Sequence, residues 1–249
     1  MLKQFIISIG SLKVSKDFML KYRLWEGWES MRWIHISFVF AAIFFGFKML
    51  GIIGSAFSNL GNLISGDFEN IKLGMTGGAF VSDWSFVKSD SYKYLFLFFT
   101  MSIVYHIGGR AMEILYNIPY RPNFKFFVKS QIRTAIVVMV CFILEQVFSG
   151  ISSMALGLIG FKWLQPASDF IIQSFLFGAI LLDGLHEVRG WKVNHGIKHS
   201  FKFYSGIALF YGAIGLILSY IPILGLILVS TILSVGILIA IKRIEALSY

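Results

Sequence analysis

Three residues of one apolar stretch are spaced for shared work: His106, Arg110 and Glu113 follow one another at intervals of four and three. Residues so spaced share one face of a helix. Ionisable groups at bilayer depth are costly unless paired or turned toward water, and they mark candidate ion paths. Arg110 carries a permanent charge and a fork of donors suited to an oxyanion. An intrahelical pair with Glu113, Arg110 reaching toward the interface, accounts for the same spacing. Glu145 stands in a second apolar run with Gln146 beside it. A carboxylate there needs a partner, such as Arg110 or Lys48, or it binds a proton. An interhelical pair and a proton- or ion-coupling site are both open for it. Asp183, just ahead of Gly184, either caps a turn or pairs with Arg189. Pro222 with Gly225 breaks a further apolar run and leaves helix-end amides carrying partial positive charge.

Other chemistries lack their residues. His186, His195 and His199 lie near Glu187, but His186–Glu187 is followed by Arg189 and Gly190, without the second histidine of a zinc-hydrolase helix. No phosphate-cradling Gly-x-x-x-x-Gly-Lys element and no nucleophile elbow occur. Neither an enzyme, a metal site nor a cofactor is expected. The histidines with Lys192, Lys198 and Lys202 read as a basic-aromatic helix at the level of anionic lipid headgroups.

The elements that must position these residues are membrane helices. Of 249 residues, 57% are apolar and only 14% charged, against about 25% charged in soluble domains. The alternating ten-residue segments of an outer-membrane barrel are missing. The formal charge of +9 sits between the apolar runs, as the positive-inside rule predicts, and does not point to nucleic acid. Residues 1–32 form an amphipathic cytoplasmic segment in which Phe5, Ile9, Leu12 and Phe18 alternate with lysines. Four spans follow at 33–63, 94–118, 134–163 and 170–185, each near the length a bilayer needs. No residue from Phe203 to Ile241 is charged. Gly206–Tyr220 is short for a crossing, so 206–241 reads as a half-inserted helical hairpin, with two short spanning helices the alternative. The basic segments are the N-terminus, 119–133, 186–203 and the C-terminus, which places both termini in the cytoplasm. The expected fold is an all-α polytopic membrane protein, about four transmembrane helices plus the hairpin, in a single membrane domain. Glycines at 150, 157, 160, 206, 212, 215, 225 and 236 are read as packing or oligomer surfaces.

The C-terminal third resembles the signature of the EI24/CysZ membrane-protein family. The elements are Asp183, Gly190–Trp191, the basic Lys192–Lys202 segment, Tyr211–Gly212, and Ile221–Pro222 with Leu224 and Gly225. The resemblance covers roughly residues 160–241. Gly184–Leu185 stands where the family usually has Tyr-Pro, which marks a divergent member. Bacterial members resemble sulfate permeases, so the likeness implies an inner-membrane protein moving a small anion such as sulfate, channel-like or ion-coupled. Arg110, Glu113, His106, Glu145, Asp183, Pro222 and Gly225 are the candidate path. The alternative is a non-catalytic membrane scaffold, a homo-oligomer using its glycine faces and its Lys192–Lys202 surface to hold proteins or lipids.

Overall fold

The structure, a computed structural model, describes residues 1–27, 32, 35–36, 39, 90–120 and 122–247. The expected span at 33–63, with Lys48, falls outside the described residues, a few isolated positions excepted. The described chain is helical: α1 (Leu2–Lys21), α2 (Asp90–Tyr116), α3 (Phe124–Leu158), α4 (Gln165–Val188), α5 (Val193–Phe203), α6 (Ser205–Ser219), α7 (Pro222–Leu228) and α8 (Ser234–Ala246). A 3-10 turn, Lys162–Leu164, leads into α4, and a π-helical turn, Val229–Leu233, joins α7 to α8.

Among the described residues, three helices are long and apolar enough to cross a membrane: Phe124–Leu158, Lys162–Val188 and Leu224–Ala246. The pair α5–α6, bent by 98° at its junction, makes a fourth if counted as one broken span. With 27 residues α2 is also long enough to cross, and it carries His106, Arg110 and Glu113 within its length. The protein is thus a multi-pass, all-α membrane protein. The C-terminal hairpin has unequal arms. At 15 residues α6 measures about 22 Å, short of the ~30 Å hydrocarbon core. The second arm, Leu224–Ala246, has 23 residues and is long enough to cross.

Local signals explain the boundaries. The Asn123 side chain accepts from the Lys125 backbone N–H at 2.8 Å and caps α3. Gly160, at φ +76°, turns the chain out of α3 in a conformation that suits glycine. Pro222 opens α7 at a position where its missing N–H costs nothing. In the π turn, the Ser230, Thr231 and Ser234 hydroxyls bond back to carbonyls of Leu226, Ile227 and Ser230 at 2.6 Å, a local ladder that keeps these polar groups paired inside the bundle.

Packing runs from a buried centre to a bare exterior. Every residue from Val235 to Ile241 on α8 is buried, so this stretch of the helix is enclosed on all sides. By contrast α3 leaves Ile132, Ile136, Met139, Ile143, Val147 and Ile151 exposed, an outer apolar face fit for lipid. The closest crossing joins α4 to α6. A Cβ on Gly212 would lie 1.7 Å from the Ser174 carbonyl oxygen, and one on Gly178 would lie 1.9 Å from that of Ala208. Glycine is required there because the two backbones touch. Gly150, Gly157 and Gly160 differ: nothing stands within 4 Å of their Cβ positions, so they take no part in packing within the described chain.

In the N-terminal helix Leu12 and Phe18 pack against the core and Phe5 meets the Phe210 ring. The helix's fully buried positions are Ser8, Ser11 and Ser15, while Ile6, Ile9 and Val14 are exposed. Small side chains let α1 lie against α8 and α6. Gln4 donates to the Phe203 carbonyl at 2.6 Å, and the Tyr211 hydroxyl donates to the Ser8 carbonyl at 3.1 Å.

The basic segments gather at one end of the bundle. Arg189 pairs with Glu245 at 2.8 Å, the Tyr204 hydroxyl donates to Glu245 at 2.8 Å, and Lys242 donates to the Leu115 carbonyl. These contacts tie the ends of α2, α4, α5 and α8 together.

Candidate functional site

Where α2, α3, α4 and α8 meet near the basic end, they enclose a cavity of about 620 Å³. Its inner wall is apolar, with Met101, Val104, Leu181, Leu185, Ile237 and Leu238 all buried. Its polar wall carries Tyr105, Tyr120, Lys129, Ser130, Arg133, Glu187 and Lys192. Lys129 and Lys192 are exposed and Arg133 and Glu187 half-buried, so charge concentrates toward the mouth.

Local sequence places these groups. Lys125, Lys129 and Arg133 recur at intervals of four on the first turns of α3, and Asp183 and Glu187 do so near the end of α4. Each row occupies one face, and the two rows meet. Arg133 forms a bidentate pair with Asp183, Nε to Oδ2 at 2.8 Å and Nη2 to Oδ1 at 2.7 Å. Its Nη1 donates to the Trp191 carbonyl, which fixes the turn between α4 and α5. One turn along, the Ser130 hydroxyl donates to Glu187 Oε2 at 2.7 Å. Asp183 is therefore not a cap and not a partner of Arg189. Helix α4 continues through Gly184 to Val188, which turns Asp183 inward toward α3 and leaves Arg189 to Glu245.

The residues first singled out are dispersed. Arg110 and Glu113 form an ion pair with each other at 2.8 Å, each about one-third exposed at 33% and 36%. Neither lines the cavity. His106 is buried, its Nδ1 3.3 Å from the Tyr120 hydroxyl, so it supports the cavity wall from behind. Gly109 makes this possible: a Cβ there would stand 2.3 Å from the Tyr120 ring. Burial, followed by the neighbouring Tyr105, pushes the Tyr120 phenol above its ordinary pKa, so Tyr120 presents a neutral hydroxyl.

Glu145 lies twelve positions beyond Arg133 on α3, about 18 Å along the axis. It is buried and accepts from Lys93 and from the Tyr94 hydroxyl. Its partner is thus Lys93, where Arg110 or Lys48 was expected. Helix α2 begins at Asp90, one turn before the apolar run, and that turn carries Lys93 inside. Pro222 and Gly225 shape the hairpin bend. A Cβ on Gly225 would lie 2.0 Å from the Leu218 carbonyl oxygen, so Gly225 serves the close return of the chain. Gly225 does not line the cavity.

The histidines form an aromatic cluster. His186 stacks on Trp191 with centroids 5.0 Å apart and bonds the Ser200 hydroxyl at 2.9 Å. His195 and His199 flank the same indole. Among the described residues no group of three or more His, Cys, Asp or Glu side chains is placed to hold a metal.

The residues missed in sequence are Arg133, Lys93, Lys129, Ser130 and Tyr120. The interval of four from Lys125 to Arg133 was the available signal, hidden because those residues read as loop. Compared with protein-family models, curated proteins and solved structures, the chain matches none.

Proposed function

We propose that this protein moves a small anion across a bacterial inner membrane, with both termini on the cytoplasmic side and the cavity as the anion's cytoplasmic station. The observation that carries this reading is the 620 Å³ cavity, whose wall bears Lys129, Arg133 and Lys192 at the basic end of an otherwise apolar bundle. Fixed cations beside a low-dielectric wall concentrate anions, and the positive-inside rule assigns that end to the cytoplasm. Sulfate is the anion that the EI24/CysZ resemblance implies. The anion contact shifts from Arg110, which is committed to Glu113, to Lys129 and Lys192, which stand exposed at the mouth. The buried Lys93–Glu145 pair lies about 18 Å along α3 from Arg133 and does not line this cavity.

Flux into proteoliposomes of the full chain tests the proposal, comparing sulfate, chloride and potassium with and without a pH gradient. Selective anion entry that falls severalfold in Lys129→Gln/Lys192→Gln, the protein remaining folded, is expected. No entry of any ion, in vesicles shown by protease accessibility to hold oriented protein, overturns it in favour of a scaffold.

A further inference from the structure

The cavity is built for more than a bare oxyanion. Water takes about 30 Å³ per molecule, and a tetrahedral oxyanion displaces only a few of these. A volume of about 620 Å³ lies within the range of pockets that enclose drug-sized organic molecules, about 300–1,000 Å³. The wall is also divided. Met101, Val104, Leu181, Leu185, Ile237 and Leu238 supply a buried apolar interior, and the charged groups stand toward the mouth. An inorganic anion would leave that apolar surface against water.

The charges bear on the ligand as well. Lys129, Arg133 and Lys192 are opposed by Glu187 on the wall and by Asp183 behind Arg133, which leaves one positive charge in surplus. Arg133 is held by Asp183 and the Trp191 carbonyl, so the cations open to a ligand are the two exposed lysines. Tyr105 and Tyr120 add neutral hydroxyls on the same wall.

We infer that the cavity binds a monoanionic amphiphile, with a carboxylate, sulfonate or phosphodiester head between Lys129 and Lys192 and its apolar body against α2, α4 and α8. This deepens the anion reading and rests on it. A soluble organic acid and the head of a membrane lipid share this chemistry.

The test uses the full chain in nanodiscs of zwitterionic lipid, titrated calorimetrically with sodium sulfate and with ethane-, butane- and octanesulfonate, empty nanodiscs being subtracted. Affinity should rise up to about fourfold per methylene and fall at least tenfold for octanesulfonate in Lys129→Gln/Lys192→Gln, both surface changes that leave the core intact. Sulfate binding as tightly as octanesulfonate, with no dependence on tail length, overturns the amphiphile while the anion reading stands. Binding of no anion at all removes both. Phosphatidylglycerol added to the disc separates the sources: loss of octanesulfonate binding identifies a lipid head as the occupant, and unchanged binding identifies a soluble acid.

Discussion

The bidentate pair between Arg133 and Asp183 anchors α3 to α4 beside the cavity, and its removal has a calculable cost. The side chains are 15% and 4% exposed, so neither charge has much access to water. Removing one partner of a buried pair leaves the other uncompensated and costs about 3–5 kcal/mol. At about 2–4 °C per kcal/mol for a chain of this size, Arg133→Met and Asp183→Leu should each lower the melting temperature by roughly 6–20 °C. The double substitution should recover most of the loss, since replacing a whole buried pair by apolar side chains is often neutral. Both single variants also free the Trp191 turn, because Arg133 without Asp183 no longer has a fixed guanidinium to offer the Trp191 carbonyl. Thermal unfolding of the purified protein in one detergent, followed by size exclusion, supplies the four values of the cycle. Strictly additive effects, or single variants within about 0.5 kcal/mol of the parent, would refute the reasoning.

Other consequences are open to measurement. Lys93→Met strands a buried carboxylate and Glu145→Gln a buried ammonium, so each should cost about 3–5 kcal/mol; the same melting assay checks them, and variants within about 0.5 kcal/mol of the parent contradict the pairing. Gly212→Ala drives a methyl into the Ser174 carbonyl, 1.7 Å from its Cβ position, so it should cost at least about 1–3 kcal/mol as overpacking. Gly150→Ala, with nothing within 4 Å, should be neutral or stabilising by about 0.5–1 kcal/mol. Equal behaviour of the two alanines would remove the close α4–α6 crossing from the account.

Periodicity and charge carried the coarse architecture. Apolar runs located α2, α3 and α4 to within a turn or so at most ends, the exception being the α3 start, ten residues early. Of the basic segments named from sequence, 186–203 and the C-terminus are joined by the Arg189–Glu245 pair, and Arg133 of 119–133 reaches the Trp191 carbonyl. The short α6 and the break at Pro222 followed from length and from proline's missing donor. What stayed hidden depended on which faces meet. Arg133 and Asp183 are fifty positions apart, so no local pattern links them. The α3 start was misjudged because its first turns are basic, and this concealed the Lys125–Arg133 row. In α1 the small serines at 8, 11 and 15 form the packed face, which a search for apolar periodicity does not detect. Arg110 drew attention by standing in an apolar run, but its charge is answered three residues away.

The central claim is that anions pass by way of the lysines at the cavity mouth. Its most direct test is initial-rate anion influx into oriented proteoliposomes at matched protein load, comparing the parent with Lys129→Gln/Lys192→Gln and with Arg110→Gln. The account predicts a severalfold loss in the double lysine variant and near-parental flux in Arg110→Gln. The opposite pattern, with flux lost at Arg110 and kept without the lysines, would contradict it.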